Sequence, residues 1–330
     1  MRKQIVLLFT LLFILSCGKQ NCEINPEVAK IDVNVQIERL EQPFYGLKNE
    51  KEVAAFLEKH PVFADKYLQR GEYPGEEQLV GSLLQLIREP NLQKFAKETE
   101  QHFGDMADVQ QDLTNAFKHL KYYYPQFAVP QVKTFVSGLL GPDIFLSDSL
   151  VIIGLDYFAG RKASYRPQQP DYILQRYEKE NIVPALVTLI SSKYNKTDQK
   201  NTMLAEMVNY GKSYYFTKQM MPCTPDSLII GYTDQQMADI NYNEGKIWAH
   251  FIEKSLLFET SHFKVNKYTG ERPSVPEISA RCPGRIATWV GWQIVKKYMA
   301  ENPQVTLPQL MAETDAQKLF TQSKYKPKRN

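Results

Sequence analysis

The sequence predicts a mainly helical α+β fold. Apolar residues recur at helical spacing through residues 50–124 and again from residue 177 onward, while residues 131–158 hold short apolar runs broken by turn residues. A hydrophobic fraction of 43%, with 19 tyrosines and 17 phenylalanines, belongs to a globular chain able to bury a large core. The expected organisation is a signal segment over 1–16, a tether over 17–30, one domain over 31–321 and a flexible basic tail over 322–330.

Arg2 and Lys3 precede an apolar and hydroxyl run from Ile5 to Ser16. That run is too short to cross a bilayer core, which needs roughly 20 helical residues. Ile14-Leu15-Ser16-Cys17 then sets a small residue before a cysteine, as bacterial lipoprotein signals do, so Cys17 is the expected lipidation site and mature N-terminus. The competing reading is an ordinary secretory signal with an incidental cysteine. Two or three acyl chains anchor a protein stably where one chain is marginal. Gly18 and Lys19 carry no acidic retention mark and no acidic cluster follows, which points to the outer membrane, facing the periplasm.

Along the mature chain, Ile31, Val33, Val35 and Ile37 alternate with polar residues as in a strand. Asn49 is placed to cap a helix through Val53, Phe56 and Leu57, and Pro61 to open a second one. Leu79, Leu83, Leu86 and Ile87 form a third stripe; Val109, Leu113, Phe117 and Leu120 form a longer one that ends at Tyr124-Pro125. Residues 132–136, 144–146 and 150–155 then read as an antiparallel hairpin or small mixed sheet, with turn chemistry at the breaks. Helices return after it. Tyr177, Val183, Leu186, Val187, Ile190 and Tyr194 share one face, and Leu204, Val208, Gly211 and Tyr215 form the seam of the next helix, where Gly211 lets a neighbouring backbone approach. Residues 247–258 are aromatic and helical, and Pro283-Gly284 introduces a last long helix through Ile286, Val290, Ile294 and Tyr298.

The formal net charge is +3, and removal of Arg2 and Lys3 with the signal leaves about +1, so there is no basic domain to grip phosphate backbones and nucleic acid is not an expected partner. Of the cysteines after Cys17, Cys22 sits in the tether, which leaves Cys223 and Cys282 as the candidate disulfide in an oxidising compartment; two isolated buried thiols are the alternative.

Three segments carry a family resemblance. Ile152-Ile153-Gly154-Leu155-Asp156-Tyr157, Leu204-Ala205-Glu206-Met207 through Tyr210-Gly211-Lys212-Ser213-Tyr214-Tyr215-Phe216, and Pro283-Gly284-Arg285 through Trp289-Val290-Gly291-Trp292-Gln293-Ile294-Val295 resemble the gliding motility lipoprotein GldB family of the Bacteroidetes, with Gly231-Tyr232-Thr233 and Glu244-Gly245-Lys246-Ile247-Trp248 in agreement. The resemblance implies an envelope lipoprotein needed for gliding and the associated type IX secretion machinery, with other envelope lipoproteins as partners and no cofactor. It also implies a distant likeness to predicted zinc metalloproteases, hence a zincin-like core: a small sheet and two central helices, the first bearing HExxH and the second a Glu-Gly motif. HExxH works because two histidines one turn apart meet one metal while the glutamate activates its water. Here that place reads Asn181-Ile182-Val183-Pro184-Ala185-Leu186-Val187, and Tyr210-Gly211 stands for the Glu-Gly pair, so zinc peptidase chemistry and a metal site are not expected.

Asp156, Arg176, Glu206, Tyr210, Gly211 and Lys212 are the candidate residues of the inherited cleft, where they would bind a protein partner. The alternative is that Asp156 caps a turn and Glu206, Tyr210 and Lys212 form a buried ion-pair network. His250 and Glu253, three apart, are either a weak metal pair or a surface contact; Trp289 and Trp292 are either an interface anchor or core. No GxSxG elbow or phosphate loop occurs. The expected function is a non-enzymatic structural or assembly factor; the competing class is a metal-dependent peptidase or peptidoglycan hydrolase.

Overall fold

A computed structural model describes residues 25–198 and 201–328, so the signal segment, Cys17, Cys22 and most of the tether lie outside the described residues. The chain enters through a short helix, α1 (Pro26–Ala29), and reaches strand β1 (Ile37–Arg39) and α2 (Glu41–Phe44). The strand is shorter than the alternation at 31–37 suggests. Val33 and Val35 are buried as expected, but the Val35 and Ile37 N–H groups donate to Thr114 Oγ1 and Gln110 Oε1, each at 3.2 Å, so helix side chains replace a strand partner.

Helix α3 (Glu50–Lys59) begins where Asn49 accepts from the Glu52 N–H at 3.1 Å. A π-helical turn, Phe63–Tyr67, follows Pro61 in place of a full α-helix. After it come α4 (Glu76–Arg88), α5 (Pro90–Phe103) and α6 (Ala107–Tyr123). Helix α5 has no counterpart in the stripes read above; Pro90 at its first position, with Glu89 accepting from the Asn91 N–H, sets its start.

Strands β2 (Gln131–Phe135), β3 (Ile144–Leu146) and β4 (Leu150–Gly154) join β1 in a mixed sheet of order β1-β2-β4-β3. Only β3 and β4 form an antiparallel hairpin; β2 runs parallel to both β1 and β4. Every residue of β4 is buried, as a strand covered on both faces requires. Leu150 and Ile152 pack with Phe135, Phe56, Phe63 and Leu83 on one face, while Val151 and Ile153 join the larger core containing Leu113, Phe117, Leu186 and Val208 on the other.

Beyond α7 (Asp171–Leu174), helix α8 (Ile182–Ser191) is shorter than the shared face from Tyr177 to Tyr194 predicts, with Pro184 held in its first turn. Helix α9 (Met203–Met220) starts at a Thr202 cap and crosses α14 (Ile286–Glu301) through paired glycines. A Cβ on Gly211 would lie 2.8 Å from Trp292 N and one on Gly291 would lie 2.8 Å from Met207 Cα, with nearer approaches to the facing carbonyl groups, so only glycine permits this contact. Between these helices lie α10 (Asp226–Ile230), α11 (Asp234–Tyr242), α12 (Glu244–Glu253) and α13 (His262–Thr269). Trp289 and Trp292 are wholly buried in α14 and belong to the core.

The chain continues past the expected last helix into α15 (Leu307–Ala312) and α16 (Ala316–Ser323). The tail expected to be loose from residue 322 is instead fixed through Tyr325, which is buried and donates its hydroxyl to Glu244 Oε1 at 2.8 Å. Among the described residues no helix is long and apolar enough to cross a membrane.

Candidate functional site

A cleft of about 540 Å³ opens where β3, α8, α9 and the entry to α14 meet. Ile144 from the edge of the sheet and Ala185, Thr188 and Leu189 from α8 form one side, with Tyr210 and Tyr214 from α9. Arg176, Glu271 and Arg285 complete the lining with charged groups. Tyr210 and Leu189 present large apolar surface to solvent at 39% and 45% exposure. Burial, then the neighbouring Glu206 carboxylate, raises the Tyr210 phenol above its ordinary value.

The charged wall is tightly arranged. Arg176 Nη1 and Arg285 Nε both bond the same oxygen, Glu271 Oε1, at 2.9 and 3.2 Å. Arg285 also donates from Nη1 to Tyr214 Oη at 3.2 Å and from Nη2 to Ile230 O at 2.8 Å, and lies over the Tyr232 ring at 5.2 Å. It adopts the left-handed conformation, φ 59°, at the start of α14. Gly231, φ +71°, holds the left-handed turn beside the Arg176 stem; a Cβ there would meet Arg176 Cγ at 2.8 Å.

Of the six candidates, Arg176 and Tyr210 line this cleft and Glu206 sits one helical turn from Tyr210, close enough to influence its phenol. The other three do not join them. Successive residues of a helix point about 100° apart, so Tyr210, Gly211 and Lys212 cannot share a face. Gly211 faces α14. Lys212 is fully buried and donates from Nζ to Thr197 Oγ1, Met311 O and Glu313 O at 3.0, 3.1 and 2.7 Å, closing the C-terminal end of α15; burial lowers its pKa to about 8. It is a structural hydrogen-bond donor, and the expected ion pair with Glu206 does not form.

Asp156 is likewise placed elsewhere. It is buried beneath the 137–141 turn, where its Oδ2 accepts from Ser137 N, Ser137 Oγ and Leu139 N at 3.0, 3.2 and 2.7 Å. These bonds hold Gly138 and Leu139 at positive φ, 76° and 65°. Burial raises the Asp156 pKa and the hydrogen bonds offset part of that shift. The turn-capping alternative is therefore the observed one.

The candidate Cys223–Cys282 disulfide does not form. Cys282 is a free, buried thiol beside Ile240 and Ile247, whereas Cys223 is disulfide-bonded and lies near His119 and Asn115, in a different cavity. Burial pushes the Cys282 thiol up to about 12. His250 bonds Tyr268 Oη through Nε2 at 2.9 Å, which gives it a protein partner.

The residues do not fit zinc. Asn181, at the N-cap position of α8, and Ala185, one turn into it, are the cleft-lining positions in the stretch where HExxH would stand, and they present an amide and a methyl group. Among the described residues no group of three or more His, Cys, Asp or Glu side chains gathers to hold an ion.

A family model described as gliding motility protein GldB matches residues 21–327. The chain belongs to the GldB family. Membership in the GldB family implies a lipid-anchored protein of the cell envelope involved in gliding motility. No curated protein and no solved structure matches it. The segments that resemble the family frame the cleft: Tyr210 and Tyr214, Gly231, and Arg285 come from three of them. Glu271 and Asp143 were not legible as site residues, because each comes from a loop with no motif; Tyr214 extends the Glu206, Tyr210 spacing by one further turn and Arg285 follows Pro283-Gly284 at the start of α14.

Proposed function

We propose that this GldB-family lipoprotein is a non-enzymatic assembly factor of the gliding and type IX secretion apparatus, held at the outer membrane facing the periplasm, and that the cleft receives a segment of a protein partner. The observation that carries this reading is the lining itself: apolar Ile144, Ala185, Leu189 and Ile229 beside exposed Tyr210 and charged Arg176, Glu271 and Arg285 suit a polypeptide, and among the described residues the carboxylates Asp143 and Glu271 are joined by no third ligand that would gather them round a metal. Ion-paired Arg176 and Arg285 supply orientation through charge-assisted hydrogen bonds.

Leu189→Arg tests it, since a half-exposed residue on α8 is replaced without disturbing the core. In cells the variant accumulates to the wild-type level, while gliding and secretion fall to those of a strain lacking the protein. Full function with Leu189→Arg removes the cleft from the account. Stoichiometric zinc in the purified protein together with peptide cleavage overturns the non-enzymatic part.

A further inference from the structure

The two edges of the sheet are treated differently. At the β1 edge, Gln110 and Thr114 side chains occupy the outward N–H groups of Ile37 and Val35. At the β3 edge, Ser147 N bonds Leu150 O and Gly154 N bonds Asp143 O, so residues 143, 145 and 147 face β4 and residues 144 and 146 face away from it. The outward Ile144 N–H is taken by Asp143 Oδ1 at 2.8 Å. Among the described residues the Ile144 carbonyl, the Leu146 N–H and the Leu146 carbonyl have no hydrogen-bond partner; Ile144 lines the cleft and Leu146 lies two residues further along the same edge. Unpaired N–H and C=O groups on a sheet edge are a template on which another chain can pair.

A second feature of the same cleft is Glu271, an exposed loop carboxylate whose single oxygen receives both arginines. Asp143, the other acid of the lining, accepts from Ile144 N–H and from the Tyr177 hydroxyl at 3.1 Å, and among the described residues it makes no ion pair with the arginines.

We infer that the cleft binds an extended acidic peptide segment as a fifth strand on β3, with a partner carboxylate taking the place of Glu271 on Arg176 and Arg285. This deepens the partner-binding reading above and rests on it. Main-chain pairing supplies affinity without dictating sequence, and the arginine pair selects segments with an acid at one position. Glu271 acts as an internal occupant that keeps two guanidinium groups compensated while the cleft is empty.

The test uses the full lipidated chain in detergent and a fluorescent capped pentapeptide, Thr-Val-Glu-Val-Thr, followed by anisotropy. Three relatives of the probe accompany it: one with Gln for Glu, and two N-methylated at odd or at even residues. Alternate N–H groups of a strand point to opposite sides, so one methylated probe loses binding by about tenfold or more and the other does not. The Gln probe binds about tenfold more weakly, and Glu271→Gln binds the Glu probe at least fivefold more tightly than wild type. Equal binding of both methylated probes overturns strand addition, and unchanged affinity in Glu271→Gln overturns the displaced carboxylate. Absence of binding of the Glu probe at millimolar concentration overturns both. Failure of the cleft reading itself is separate: it is seen as undiminished function of Leu189→Arg in cells.

Discussion

Replacing Gly291 by alanine probes the joint on which the cleft's back wall depends. The new Cβ lies 2.8 Å from Met207 Cα and nearer still to the Met207 carbonyl, where ordinary carbon contacts need about 3.5–4.0 Å. The obstacle is backbone on both helices, so no rotamer change relieves it, and α9 must move off α14 by about 1 Å along a seam containing Trp289, Trp292 and Met207. Alanine gains roughly 1 kcal/mol of helix propensity over glycine, and overpacking of a rigid core costs about 1–3 kcal/mol or more. With a backbone-to-backbone clash at the upper end, the net loss is about 2 kcal/mol. At roughly 2–4 °C per kcal/mol this lowers Tm by about 4–8 °C in a circular-dichroism melt. Gly81→Ala is the control, because Gly81 in α4 has nothing within 4 Å of a Cβ; it should raise stability by about 0.5–1 kcal/mol. A Gly291→Ala protein as stable as wild type would falsify the close helix crossing.

Two further outcomes concern buried polar groups. The folded protein holds the Lys212 proton less tightly than the unfolded chain, with a pKa of about 8 against an ordinary 10.5, so this residue makes stability rise between those pH values as the folded amine loses its charge first. Lys212→Met removes that rise and costs about 1–3 kcal/mol at pH 7 by stranding the Met311 and Glu313 carbonyls and Thr197 Oγ1, measured as urea midpoints across pH. For the cysteines, alkylation of the unreduced protein should leave Cys282 unmodified at pH 8 in the native state and modify it in guanidinium, while Cys223 stays protected until reductant is added. Rapid native labelling of Cys282 contradicts its burial.

Most of the long helices were legible because their signals are local, whereas α5 and the short helices were not. Asn49 and the Val53, Phe56, Leu57 stripe lie within one helix, and Gly211 on the seam of α9 announced a close neighbour that proved to be Gly291. The parallel pairing of β2 with β1 was not legible, since the whole run from α2 to α6 separates those strands in sequence, and β2 pairs with β4 rather than with the β3 strand that follows it directly. The long tertiary contact of Tyr325 with Glu244 likewise turned an apparently frayed tail into packed structure. At the site, residue type was a better guide than sequence proximity: Arg176 and Tyr210 converge from distant elements, while Gly211 and Lys212, adjacent to Tyr210, are carried to other faces by the 100° step of the helix. Asp156 followed the simplest rule for a carboxylate after a strand and binds the backbone of a nearby turn.

The most direct test of the central claim places a photo-crosslinking amino acid at Leu189 in cells and, as a control, at exposed Tyr242 on α11. If the cleft holds a partner segment, Leu189 yields one discrete adduct with an envelope protein of the gliding or secretion apparatus, and the adduct disappears when Arg176 is replaced by alanine. Adducts that are identical at the two positions, or none at Leu189, contradict the account.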